Sequence, residues 1–492
     1  MPIFDNKGFN YIKYPTTKYS MNHFYIGIDI GTTATKAMVF TQEGKVVNHC
    51  CISYEMYHPQ PDWSVQKPLE ILTAVLECLN YVSYNITPQF ISFSAAMQSV
   101  IAIDKQGNPL TDIILWADNR ASTLANNLKE SELGKEFYKK TGLPIHTFCP
   151  MTKILWLREN EPEIYAKAYK FISIKEYIWH HLTGEYVIDS SMASGTGMMD
   201  IENLQWNTDI LNHLGIHENQ LSTIVSPKHT AKSFLKNHTL VLGGGDGALA
   251  NLGTGAMQKG RMSLTIGTSG AVRLPIDKPF IDLQMRTQCY HLVDNQYLTL
   301  GAINNGAVIL QWLKESILQS NETFEELLEN AQNAPAGSNG LIFVPYLLGE
   351  RAPIWDASAQ GTLLGITINH NKAHLVRATL EGILFGLLSI TEILIPDKKE
   401  RDKIVIMASG GFTKNNFWLQ LAADIFQMKV VVSQEIESSA WGAVLIGFMT
   451  FDIETNHEGI EEKIFTPNPE HQYIYQENFR KFNKVYEALK DL

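Results

Sequence analysis

The apolar residues of this chain fall into short alternating runs at its start and again near its middle, with helical spacing between. Residues 24–30 (FYIGIDI) alternate in a β-rich stretch, the pattern of a strand with a buried face. Gly-Thr-Thr follows, then a second run at 35–40, a turn at 42–45 and a third run at 46–54. Connections this short make the three strands antiparallel. A helical pattern covers 69–84, and 90–96 and 100–104 read as strands. The opening is therefore β-β-β-α-β, an α/β layered arrangement. From about 122 to 224 the pattern is mostly helical, clearest at 154–159 and 175–182.

The opening pattern then recurs. A strand at 239–243 runs into a glycine-rich turn and a helical stretch at 248–257, followed by strands at 261–267 and 271–274. Aligning the turns puts Ile30-Gly31-Thr32-Thr33 over Ile266-Gly267-Thr268-Ser269. Two unrelated hairpins could give so short a match, but each opens a mixed β/α stretch of similar length, which favours a duplicated architecture. At 492 residues the chain is also too long for one core. The expected division is a polar extension at 1–20, a first domain at 21–247 and a second at 248–492. The second closes with a strand at 404–408, a Gly-Gly turn, a helix at 416–427, a strand at 429–433 and a further helix.

Composition narrows the classes. Hydrophobic residues at 45% and charged residues at 18% exclude wholesale disorder. A net charge of −11 argues against a nucleic-acid partner, whose phosphates need clustered positive charge. It leaves room for a small anion held by local donors. The cysteines number 5 and lack C-x-x-C spacing, which excludes a disulfide scaffold or zinc ribbon and suits a reducing compartment. No apolar run reaches the roughly 18 residues of a membrane helix, the best, 382–396, being cut by Glu392. The first residues show no signal-peptide core. The expectation is a cytoplasmic protein without a membrane partner.

Candidate chemistry gathers at the turns. Asp29-Ile-Gly31-Thr32-Thr33, with Lys36 beyond, offers backbone N–H groups and two hydroxyls to an anion. The acid would repel a phosphate unless Mg²⁺ lay between them; an ordinary hairpin turn is the plainer alternative. A Walker A signature is absent. Gly243-Gly-Gly-Asp246-Gly247 links a strand to a helix as a dinucleotide fingerprint does. However, its acid would face the pyrophosphate, and no ribose-binding acid stands some twenty residues on. An acid at a glycine turn between domains suits removal of a proton from a substrate hydroxyl. Ser409-Gly-Gly411-Phe-Thr-Lys-Asn415 is a strand–helix turn that offers a flat surface and an amide to a base.

Two longer segments carry a resemblance. FCPMTKILWLREN at 148–160, and GTLLGI at 361–366 followed by HLVRATLE at 374–381, match the two signatures of the FGGY carbohydrate kinases, which the chain resembles from about 25 to 449. The resemblance implies two ribonuclease H-like (actin-like ATPase) domains with ATP and sugar in the cleft between them. It implies phosphate clamps at Gly31, Thr32, Thr33 and Lys36 and at Gly267, Thr268 and Ser269, with adenosine at Gly411 and Asn415. It makes Asp246 the general base and Asp29 the acid that holds Mg²⁺ through water. Sugar contacts would come from Met97, Gln98, Trp116, Asp118, Asn119, Arg120, Asp246 and Arg351. The segments Trp116–Arg120 and Gly349–Trp355 are most similar to the branch that phosphorylates gluconate, a sugar acid, whereas Gln98 departs from the family's usual Met-His. A xylulose or other polyol kinase is the alternative within the family, and an actin-like ATPase that binds a partner the alternative outside it. Trp116 could be core, Arg120 and Arg351 structural ion-pair partners, and Lys153 a solvated helix residue. As the cation for a substrate carboxylate, Arg120 is the first expectation, with Arg351 and Lys153 next. Oligomeric state is not fixed by the sequence, and a homodimer stays open.

Overall fold

The computed structural model describes residues 23–432, 437–455 and 463–490; the expected extension at 1–20 lies outside the described residues. The first alternating runs form strands β1 (Tyr25–Ile30), β2 (Ala34–Phe40) and β3 (Val46–Ser53). Helix α1 (Pro68–Val82) begins with a proline at its first position, where a missing N–H costs nothing. Strand β4 (Ile91–Ala95) follows, then β5 (Thr230–Lys232) and β6 (Thr239–Gly245) close a six-stranded sheet in the order β5-β6-β4-β1-β2-β3. The β1–β2–β3 meander is antiparallel, while β1, β4 and β6 run parallel.

Helix α3 (Asp246–Gly253) leads from this sheet to the second; α2 (Pro150–Asn160) belongs to the helical insertion before it. Strands β7 (Arg261–Ile266), β8 (Gly270–Ile276), β9 (Gln288–Val293) and β10 (Gln296–Ile303) are joined much later by β11 (Val405–Ser409), β12 (Lys429–Val432) and β13 (Lys463–Phe465). Their order is β9-β10-β8-β7-β11-β12-β13. Here too an antiparallel hairpin, β7–β8, opens the unit and β7, β11 and β12 run parallel. The duplication read from one short turn match is thus a repeat of strand order and direction.

Between β10 and β11 lies α4 (Lys372–Leu394), whose apolar surface is buried in the protein. Among the described residues it is the one helix long and apolar enough to cross a membrane by length and composition, longer than the 382–396 run expected from sequence. Its Arg377 and Glu381 are tied at 2.9 Å inside the core. Arg377 also donates to Ala334 O and to the Tyr475 hydroxyl on helix α7 (Gln472–Leu489). These residues of the second signature segment therefore hold helices α4 and α7 together.

The strands of the two sheets lie on either side of 247/248, with one helix crossing over. Helices α5 (Asn416–Phe426) and α6 (Ser438–Thr450) both come late in the chain, but α6 packs on the first sheet, against β1, β4 and α3. Its Gly442 approaches α3 so closely that a Cβ there would sit 2.0 Å from Leu249 O. A side chain at 442 would force the two helices apart.

Candidate active site

The two Gly-Thr turns stand at the ends of equivalent hairpins. In the first, Asp29 and Lys36 are register partners on β1 and β2, and the Gly31 N–H donates to Ala34 O at 3.0 Å. The Tyr54 hydroxyl donates to Gly31 O at 2.6 Å, and Trp116 Nε1 donates to Thr32 Oγ1 at 3.2 Å. In the second, Thr265 holds the place of Asp29, two residues before the turn glycine, and its hydroxyl meets Ser409 Oγ at 2.9 Å. Thr268, Gly411 and Asn415 together line a cavity of about 440 Å³ with Ala307 and Trp418. Asn415 Oδ1 caps α5 by accepting from the Trp418 N–H, which leaves its amide NH₂ as the donor on offer to a ligand.

Asp246 heads α3 where β6 ends. Its Oδ1 accepts from the Gly247 N–H at 2.7 Å, and its carboxyl is pushed up to about 6, chiefly by burial and then by the charge of Asp29. The Gly247 N–H and the guanidinium of Arg273 pull it the other way. Asp29 is also raised, by burial, against the Ser94 hydroxyl that donates to its Oδ1 at 2.7 Å and the charge of Lys36. Two buried acids this near one another are held ionised together only at a cost. That donor set fits a hard cation carried by one or two carboxylates plus substrate phosphates. Among the described residues no cluster of three or more His, Cys, Asp or Glu side chains forms a separate cation cage.

Met97 and Gln98 lie beside this turn. Met97 packs beneath Gly245, and Gln98 adopts a left-handed backbone with φ 69°. Its carbonyl is held by Lys153 Nζ at 2.8 Å, and its side-chain amide donates to the Tyr290 hydroxyl, across the cleft on β9, at 2.8 Å. Lys153 also donates to Phe148 O at 2.8 Å, and burial pushes its ammonium down to about 7. It is neither a solvated helix residue nor free to meet a substrate, and its work is to fix Gln98.

The Trp116–Arg120 segment divides. Trp116 is 42% exposed, which removes the core reading, and it lines a cavity of about 650 Å³ with Asn119, His146, Glu350 and Arg351. Asn119 Oδ1 accepts from the Thr147 hydroxyl at 2.9 Å. Asp118 and Arg120, by contrast, are occupied with each other. Arg120 Nε and Nη2 donate to the two Asp118 oxygens at 2.8 Å each, and the Ser64 N–H donates to Asp118 at 2.7 Å. The guanidinium lies 3.7 Å from the ring centre of Trp63. The fork expected to bind a substrate carboxylate is thus filled by a neighbour two residues away, which corrects the first expectation for Arg120. Lys36 is likewise taken: its ammonium pairs with Glu437 at 2.8 Å, just before α6, so it ties that helix to the first hairpin. Arg351 stays open. Its Nη2 donates to Ile303 O at 3.1 Å, while its buried Nε has no partner. His146 nearby is driven down to about 3, first by burial and then by Arg351, Lys129 and Lys153, so it is neutral.

The sequence reading missed Arg273, on β8 beyond the second turn. Its Nη1 donates to Thr265 Oγ1 at 3.3 Å, and a Cβ on Gly247 would lie 3.5 Å from its Nη2. The available signal was a single charge inside an otherwise apolar strand, GAVRLPI.

This pairing of a buried acid with two hydroxyl-bearing turns across a cleft is the equipment of a phosphoryl-transfer enzyme built on the actin-like fold. The chain matches the FGGY family of carbohydrate kinases over both halves, the N-terminal domain at 24–253 and the C-terminal domain at 262–451, and belongs to that family. It is an ATP-dependent carbohydrate kinase. It is 41% identical to a gluconokinase from Bacillus subtilis over 87% of each chain. Among solved structures it resembles a gluconate kinase from Lactobacillus acidophilus, at 34% identity with a TM-score of 0.92, covering 95% of this chain and 98% of that one. A ligand-bound xylulose kinase from the same organism superposes with a TM-score of 0.91, also at 34% identity and with the same coverage.

Proposed function

We propose that the protein transfers the γ-phosphoryl group of ATP to the terminal hydroxyl of D-gluconate, giving 6-phospho-D-gluconate. The observation that carries the chemistry is Asp246: a carboxyl held at the head of a helix and raised to about 6 by burial and by Asp29 beside the first Gly-Thr turn. Such a group is ionised at neutral pH and basic enough to accept a proton as the hydroxyl attacks. The gluconate assignment is supported by the likeness to the Bacillus gluconokinase and by an arginine-bearing cleft in an acidic protein.

In this reading the Gly31–Thr33 and Gly267–Ser269 turns hold the ATP phosphates through N–H groups and hydroxyls, and Gly411 with Asn415 receives the adenosine. Trp116 lies along the polyol while Gln98, fixed by Lys153, hydrogen-bonds its hydroxyls. Asp246 takes the proton of the attacking oxygen. Asp29 would hold Mg²⁺, which when bound offsets charge on the phosphates. Replacing Asp29 with alanine is expected to raise the Mg²⁺ concentration needed for half-maximal rate and to lower kcat, with gluconate binding by calorimetry retained. An unchanged magnesium titration would remove Asp29 from that role.

A substrate panel tests the whole reading. Purified protein with ATP should release ADP fastest on D-gluconate, more slowly on D-xylulose and glycerol, and little without sugar. A preference for xylulose would replace the substrate, and sugar-independent turnover would favour the ATPase alternative.

A further inference from the structure

A cleft that binds a sugar acid needs a cation for its carboxylate, and Arg120 and Lys153 are already committed. Two arginines remain, both on the second half of the molecule. Arg273 rises from β8, and Arg351 is fastened by its Nη2 to Ile303 at the end of the adjacent strand β10. Each is partly buried, and Arg351 lines the cavity of about 650 Å³ that Trp116 also lines. Burial lowers the proton affinity of both, Asp246 opposing it at Arg273 and Glu350 at Arg351, while the positive charge of Arg273 lowers that of Arg351 a little further.

Neither guanidinium is held in an ion pair, although the charge of Asp246 acts on Arg273 and that of Glu350 on Arg351. Among the described residues no carboxylate lies within ion-pair distance of either one; Arg273 has a single hydrogen bond, at 3.3 Å to a threonine, and Arg351 Nε has none. Both face Tyr290, whose hydroxyl is held by Gln98 and is pushed up by burial, so it stays a neutral phenol. Arginine cannot shed its charge, so a paired guanidinium site of this kind calls for an anion with two acceptor oxygens.

Position agrees with chemistry. Gluconate's carboxylate and its reacting hydroxyl sit at opposite ends of six carbons, about 6 Å apart along five C–C bonds. Arg273 senses the charge of Asp246 without being ion-paired to it, and Arg351 stands in the wall of the cavity lined by Trp116 and Asn119. Gly247, next to the base, has no side chain to block the Arg273 guanidinium, which would lie 3.5 Å from a Cβ placed there. We propose that Arg273, with Arg351 beside it, grips the carboxylate of the substrate, and that Arg273 decides between a sugar acid and a neutral polyol. This rests on the gluconate reading above.

The test measures kcat and KM of wild type, Arg273→Met and Arg273→Lys on D-gluconate and D-xylulose, with a pH profile for each. Arg273→Met should raise the gluconate KM by about 30-fold or more, and lower the gluconate-to-xylulose ratio of kcat/KM by a similar factor. Arg273→Lys, which keeps the charge and loses the fork, should fall between. If Arg273→Met fails to fold, gluconate binding to the lysine variant by calorimetry decides the matter, because weaker binding of gluconate is expected and unchanged binding overturns the proposal. Equal losses on both sugars with the acidic limb of the pH profile displaced upward would also overturn it, since Arg273 would then only keep Asp246 ionised. A wild-type enzyme inactive on gluconate sinks the gluconate reading itself. Gluconate activity that is indifferent to Arg273→Met sinks only the assignment of the carboxylate.

Discussion

Asp246→Asn is expected to lower kcat by about 10²–10⁴-fold, the usual loss when a positioned general base is removed. The amide keeps the shape, so the hydrogen bond from the Gly247 N–H to the residue-246 side-chain oxygen can persist. What it cannot do is accept the proton of the attacking hydroxyl. ATP affinity should change little, because the phosphate and adenosine contacts come from other turns. The wild-type pH profile gives an independent check. With a carboxyl at about 6 in the free enzyme, kcat/KM should climb as pH rises through 6 and level off above it, since only the ionised form is a base. A bound cation beside Asp29 would shift this limb to lower pH. A variant that keeps near wild-type turnover would mean that the proton leaves by another route.

Asp118→Ala should destabilise the first half of the molecule by about 3–5 kcal/mol, the cost of leaving a buried charge without its partner. The side chain of Asp118 is 0% exposed and that of Arg120 5%, and the alanine would strand the guanidinium between Trp63 and Trp156. For a domain of this size that corresponds to a fall in Tm of roughly 6–20 °C. The double variant Asp118→Ala/Arg120→Met should recover part of the loss, because it removes the orphan charge along with its partner. Differential scanning calorimetry on the three proteins checks this. If the single variant melts within a degree of wild type, the pair is not structural. Arg120 would then return as a candidate for the carboxylate.

Lys153 and Gln98 illustrate how the signatures work. The first signature segment supplies a buried ammonium that fixes the backbone of a residue fifty-five positions earlier, at a φ that few side chains adopt. The second supplies Arg377 and Glu381, whose ion pair anchors α7 to α4. Both segments were legible as motifs, yet neither pattern says what its charged residue touches.

The sequence alone located the opening meander, the β7–β8 hairpin, the late strand–turn–helix unit and the duplication, because strand and helix periods are local properties of the chain; β9, β10 and the full length of α4 emerged only in the structure. It also located the Gly-Thr turns and the acid after the glycines, since glycine turns followed by hydroxyls or a carboxylate stand out as local residue patterns. Tertiary structure alone decided which charges are free. Asp118 and Arg120 look like two ligands in sequence, and folding makes them one another's partners. Lys36 looks like a phosphate contact until a helix from the far end of the chain brings Glu437 to it. Arg273 is an ordinary strand residue until folding sets its guanidinium beside Gly247 at the start of α3. Pairing depends on side-chain distances in space, between residues two positions apart or four hundred, and no local pattern of residue types encodes them.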